Sequence, residues 1–246
     1  NLPTVTTYWN QMSAKGTDGT DVAATLANKE ISFKTNAGAM DGIPIGTAGQ
    51  FLKVNSGATG YEYGDVSSDA VKIAEFAHTS GTVTNFDMDN IFSATYPYYK
   101  VIFHAVLHNS TGGQPWIRAI DYNGTADSSS AYEFANYGRQ SDGSALTAQS
   151  TGQTYIALGN DLSSDTEKTS SFIINVFQPY QTSAYKWFAY HTAHYCNNSS
   201  GLRYFTGGGA WKNNTSQMRG LRYTGQGTNN IIKQFKAIVY GFKGAY

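Results

Sequence analysis

Histidines, carboxylates and aromatic–amide clusters are the side chains of this sequence with chemistry to offer, and spacing tests each. His104 and His108 stand four apart in the alternating run Lys100–His108. A strand points both to one face but sets them ~13 Å apart, too far to share an ion unaided. His191 and His194 stand three apart, so alternation sends them to opposite faces. His78 is isolated beside the turn Thr79-Ser80-Gly81. Only a cross-strand pairing, such as His104 beside His191, would bring two imidazoles together, and no metal site is expected.

Asp121, Asp127 and Glu133 surround the loop 123–130, and Asp161, Asp165 and Glu167 lie in or beside 159–165. Cleaving a glycosidic bond requires two carboxyl groups held roughly 5–10 Å apart. Calcium would need several oxygen ligands, and neither loop has the spacing of a calcium loop. Asp and Asn are favoured in turns because their side chains bond nearby backbone, so turn-forming roles are expected. No Gly-x-Ser-x-Gly elbow is present, and Gly207-Gly208-Gly209 is not followed by the Gly-Lys-Ser/Thr of a phosphate loop. The expectation is a non-enzymatic chain with no cofactor.

The remaining constellation is aromatic and polar. The segment 201–215 places Trp211 on an amide-rich loop with Arg203, Tyr204 and Asn213; Asn197 and Asn198 precede it, and Trp116 follows the Gly112-Gly113 turn. Such a set suits a sugar: an aromatic ring stacks on the C–H face of a pyranose while amides and guanidinium bond its hydroxyls. These seven residues are the candidate glycan-binding site. The competing reading buries Trp116 and Trp211 in a core or a trimer interface.

The elements that position them are strands. Twenty-six glycines, 18 tyrosines and 13 phenylalanines against 14% charged residues favour β structure with many turns. Ten strands are predicted from position 71 onward: 71–77, 100–108, 116–122, 132–137, 154–158, 170–177, 185–191, 202–205, 217–223 and 235–242, with 178–184 as a hairpin-like loop. That series predicts a β-sandwich, jelly-roll-like, over residues 70–246. There is no βαβ rhythm. The one helix predicted lies at 21–29. Zero formal charge argues against nucleic-acid capture, and no apolar run reaches the ~20 residues of a membrane span. The start shows no secretory signal. Cys196 is the single cysteine, which excludes an intrachain disulfide, and it is expected to pack as a small apolar side chain.

Residues 42–65 differ in texture. Ile43, Ile45, Phe51, Leu52, Val54, Tyr61 and Tyr63 are interrupted by Gly42, Pro44, Gly46, Gly49, Gly57, Gly60 and Gly64. A chain broken this often makes very short strands, which cannot bury enough surface alone to offset the entropy of ordering them. Copies wrapped about a common axis would supply the missing contacts.

The run Ile45–Gly57 resembles a segment of bacteriophage tail-fibre stems that precedes a C-terminal head. Phe86–Phe92 and Tyr96–Phe103 resemble the opening of such heads, and Phe235–Lys243 resembles their aliphatic-Tyr-Gly-aliphatic-Lys closing strand. The likeness spans about 40–108 and 235–243 and leaves the middle unmatched. It implies a homotrimeric virion protein with an attachment and stem region at 1–69 and a head at 70–246. The first region would join other tail proteins. The head would bind a host surface receptor, glycan or protein, with glycan favoured. Assembly would take place in the host cytoplasm, and no membrane insertion is implied. Two other classes are a tailspike-type polysaccharide depolymerase, whose long β-helical body is missing here, and a purely structural virion decoration or tail-attached protein.

Overall fold

The computed structural model describes residues 31–34, 40–65, 69–108, 113–160, 162–196, 201–213, 215–226 and 232–244. The helix predicted at 21–29, together with Asn197, Asn198 and Asp161, lies outside them. Every regular element among the described residues is a strand. The chain divides into two compact units, 1–68 and 69–246.

The first unit contains two hairpins. Strand β1 (Ile31–Lys34) pairs with β2 (Met40–Ile43), and β3 (Gln50–Val54) pairs with β4 (Tyr61–Asp65). Between β3 and β4, Asn55 Oδ1 accepts from the Thr59 amide at 3.0 Å and fixes the turn. Phe51, Val54 and Tyr61 are nonetheless exposed, as is Ile45. A lone two-stranded hairpin is marginal in water, and this one leaves Val54 and Tyr61, which share a face with Leu52 and Tyr63, exposed.

The second unit holds two antiparallel sheets. The larger comprises β10 (Ala145–Gln153), β9 (Tyr132–Gln140), β14 (Leu202–Trp211), β13 (Lys186–Tyr195), β12 (Ser170–Phe177), β7 (Tyr98–His108), β16 (Ile232–Phe242) and β5 (Ala70–His78), in that spatial order. The smaller runs β11 (Ile156–Ala157), β8 (Pro115–Asp121), β15 (Met218–Gly225) and β6 (Asn85–Met88). Their facing sides share one core. Phe103, Phe172, Val101, Val239 and Phe235 of the large sheet meet Ile117, Leu221, Tyr223 and Met88 of the small one. The Phe103 and Tyr223 ring centres lie 5.2 Å apart. Alternation decides the assignment: in β12, Phe172, Ile174 and Val176 are buried while Ile173 and Phe177 face outward.

Each of the ten predicted strands coincides with an observed one, and 178–184 closes the β12–β13 hairpin, with Phe177 opposite Trp187. Two strands of the second unit, β6 and β10, are not among the ten. The segment ALTAQSTGQ of β10 has almost no apolar residues. It pairs with β9 because the turn between them is chemically complete. Gly143 takes the left-handed φ of 91°, Asp142 Oδ1 caps the Ser144 amide at 2.8 Å, and Gln140 N donates to Ser144 O.

The shared face expected for His104 and His108 does not form. Ala105 adopts φ 54°, and the β7–β16 and β7–β12 registers shift beside it. A bulge of this kind reverses the alternation. His104 is half-buried, opposite Lys236, whereas His108 is fully buried against Tyr223. His191 and His194 do take opposite faces, exposed and buried. Cys196 is buried and free.

Candidate functional site

The structure disperses the five described residues of the candidate site, Trp116, Arg203, Tyr204, Trp211 and Asn213. Trp211 closes strand β14 rather than riding a loop, and it is wholly buried. Its Nε1 donates to Asp127 Oδ2 at 2.6 Å, so its ring offers no face to a sugar. Trp116 stacks on Tyr155 at 3.6 Å with 7° between the planes, and its Nε1 donates to Gln114. Arg203 is buried, with Nε on Gln140 Oε1 and an Nη on Asn160 Oδ1. Its neighbour Tyr204 points to the opposite, outer face, where its hydroxyl meets His191 Nδ1 at 2.9 Å. Arg203 and Trp211 sit eight residues apart on one strand, ~26 Å at strand rise. Asn213 builds a turn: its Oδ1 accepts from the amides of Thr215 and Ser216.

The carboxylates are likewise turn builders. Asp121 Oδ1 caps the amides of Asn123 and Thr125, and Asp165 caps that of Glu167. Burial pushes the Asp127 carboxyl upward, but hydrogen bonds from Ser129 and Trp211 outweigh it and hold the group below the ordinary range. Among the described residues no three His, Cys, Asp or Glu side chains gather as metal ligands.

A different site emerges on the outer face of the large sheet. A trough of about 760 Å³ crosses β13, β14, β9 and β10. Register explains it. One cross-strand row reads Trp187, Ala210, Glu133, Thr151, and the next reads Ala189, Gly208, Ala135, Gln149. Three of the four side chains in the second row are methyl groups or hydrogen, so a channel runs across the strands. Three strand spacings make it ~14 Å long. A Cβ placed on Gly208 would meet only the Phe188 carbonyl oxygen, at 3.3 Å, and otherwise open space.

The walls carry distinct chemistry. Trp187 is 53% exposed, and its indole N–H has no partner among the described residues; Trp116 and Trp211 both donate theirs. Across the channel stand Gln149, Ser150 and Thr151. Glu133, the trough's only ionisable side chain, pairs with Lys212 at 3.2 Å.

Beneath Trp187, on the inner side, Lys186 is buried. Its Nζ donates to the carbonyls of Ala184 and Asn213 and lies 5.4 Å from the Trp211 ring centre. Loss of hydration lowers its pKa to about 8.

Sequence reasoning does not single out Trp187, which stands inside the predicted strand 185–191 with no turn or amide cluster beside it. One signal was available. Alternation in Lys186–Tyr190 places Trp187 on the side opposite Phe188 and Tyr190, and so a tryptophan on the solvent face. Gln149 and Thr151 were illegible, since β10 itself was. No family model matches the chain, and neither the curated proteins nor the solved structures give a match.

Proposed function

We propose that this chain is the head-bearing part of a bacteriophage tail fibre, a homotrimer that attaches the virion to a receptor on the host surface without catalysis. The observation that carries the reading is the outward placement of Phe51, Val54 and Tyr61 on five-residue strands of the first unit. Side chains of this size left in water favour association, each worth roughly 1.5–3 kcal/mol when fully buried. Sister copies twined about one axis would cover them. Joining three heads this way raises avidity although each head binds weakly.

The finer description of the head, a jelly-roll-like sandwich, draws support from the chain crossing between the two sheets at each step from β5 to β8. The turn-bound carboxylates favour adhesion over depolymerisation. A buried, unpaired Cys196 suits assembly in a reducing cytoplasm.

The test is a mass measurement by light scattering on the whole chain, followed by adsorption of the labelled protein to a panel of bacterial strains. The expected result is a mass of three chains and binding to a subset of strains. A monomer at micromolar concentration, or adsorption to no strain, overturns the proposal. Release of reducing ends from capsule would move the chain to the depolymerase class.

A further inference from the structure

The trough on the large sheet has a composition that selects a ligand. A hydrophobic groove meant for another protein would be lined by aliphatic side chains, and a site for an anion would gather cations. This trough does neither: it offers one half-exposed indole, a floor of Ala210, Gly208 and Ala135, and a far wall of amide and hydroxyl groups. Its one ionisable side chain, Glu133, already has its charge balanced by Lys212. We infer that the trough binds a short neutral oligosaccharide lying across the strands. One pyranose stacks on Trp187, and the following residues pass over Gly208 to Gln149 and Thr151.

The physical fit is specific in three respects. An indole fixed on a strand has little rotamer freedom to lose, so stacking a C–H face on it costs little ordering entropy. The bare row lets the saccharide lie low enough for its hydroxyls to reach polar groups on the far wall. The side-chain amide of Gln149 and the hydroxyl of Thr151, both on the exposed face of β10, match a ligand that both donates and accepts at every hydroxyl. An acidic saccharide gains nothing here, because Lys212 is already engaged by Glu133.

This inference rests on the receptor-binding reading, and the experiment separates the two. The whole chain and its variants are applied to an array of neutral and uronate- or sialate-bearing bacterial oligosaccharides, and in parallel to the bacterial panel. The expected result is wild-type binding to neutral members, at least tenfold weaker for Trp187→Ala and reduced for Gln149→Ala. Tyr137→Ala, on the same outer face but away from the trough lining, should bind like wild type. Melting curves confirm that the half-exposed Trp187 can be removed without unfolding the head; Gln149→Ala serves if it cannot. Three results overturn the inference while leaving attachment intact: cells bound but no neutral saccharide, acidic members preferred, or Trp187→Ala binding unchanged. Failure to bind either cells or saccharides removes both readings together.

Discussion

His108 Nε2 lies 2.8 Å from the hydroxyl of Tyr223, the imidazole on the eight-stranded sheet and the phenol on the four-stranded sheet facing it. Both side chains are fully buried, and the bulge at Ala105 is what turns His108 inward. Burial lowers the histidine from 6.5 to about 4 and raises the tyrosine well above its ordinary value. The folded state therefore holds the imidazole neutral.

A pH dependence follows from that pair. The unfolded chain takes up a proton on His108 near 6.5 and the folded chain only near 4, so the unfolded state binds more protons in between. The contribution is present in full above about 6.5 and is lost as pH falls through 4. A gap of about 2.5 units corresponds to roughly 3 kcal/mol. Urea unfolding at pH 7 and pH 4.5 should show a smaller acid loss in His108→Gln than in wild type, by about 2–3 kcal/mol. Equal losses would show that the imidazole is not held neutral.

Fully buried Trp211 is tied to the half-buried Asp127 at 2.6 Å. Asp127→Ala leaves the indole N–H without an acceptor in a fully buried ring and should cost about 1–3 kcal/mol. Asp127→Asn retains an acceptor and should recover part of that loss. Thermal melts of the two variants check the order.

The left-handed φ of 54° at Ala105 burdens a residue that has a Cβ. Glycine there removes about 1–2 kcal/mol of backbone strain and costs about 0.5–1 kcal/mol in unfolded-state entropy. Ala105→Gly should raise the unfolding free energy by up to about 1 kcal/mol. A lower value in chemical denaturation would mean that the Cβ packs usefully in the bulge.

Two glycines should respond in opposite ways. A Cβ on Gly220 would stand 2.3 Å from the Met88 carbonyl oxygen and 2.9 Å from the Asp89 Cα. Backbone cannot yield cheaply, so Gly220→Ala should destabilise by about 1–3 kcal/mol. Gly208→Ala meets only one atom, at 3.3 Å, and should melt within a few degrees of wild type. Paired calorimetry distinguishes a glycine required by close approach from one that merely leaves room.

Much of the head was legible in the sequence because alternation and turn residues are local properties. Ser170–Phe177 was readable to the residue, since its apolar period is unbroken. The faces of His104 and His108 were not, because one residue in a left-handed conformation reverses every side chain beyond it, and alanine gives no sign of that. The candidate binding residues failed for another reason. The glycine and asparagine neighbours of Trp211 suggest a loop, yet Gly207-Gly208-Gly209 continue the strand, where a Cβ on Gly207 or Gly209 would stand 2.7 or 2.9 Å from a β9 carbonyl oxygen. Which tryptophan stays in solvent depends on sheet order, and sheet order is set by long-range pairing rather than by neighbours in the chain.

Cys196 carries a last consequence. It is the chain's single thiol, its sulfur shielded completely while its amide donates to the Gly201 carbonyl at 2.9 Å. Cys196 follows β13 directly and bridges Leu162, so an alkylating reagent reaches it only when this end of the sheet opens. The rate of labelling therefore reads how often that part of the sheet opens, giving a clock for the protein's breathing that needs no engineered probe.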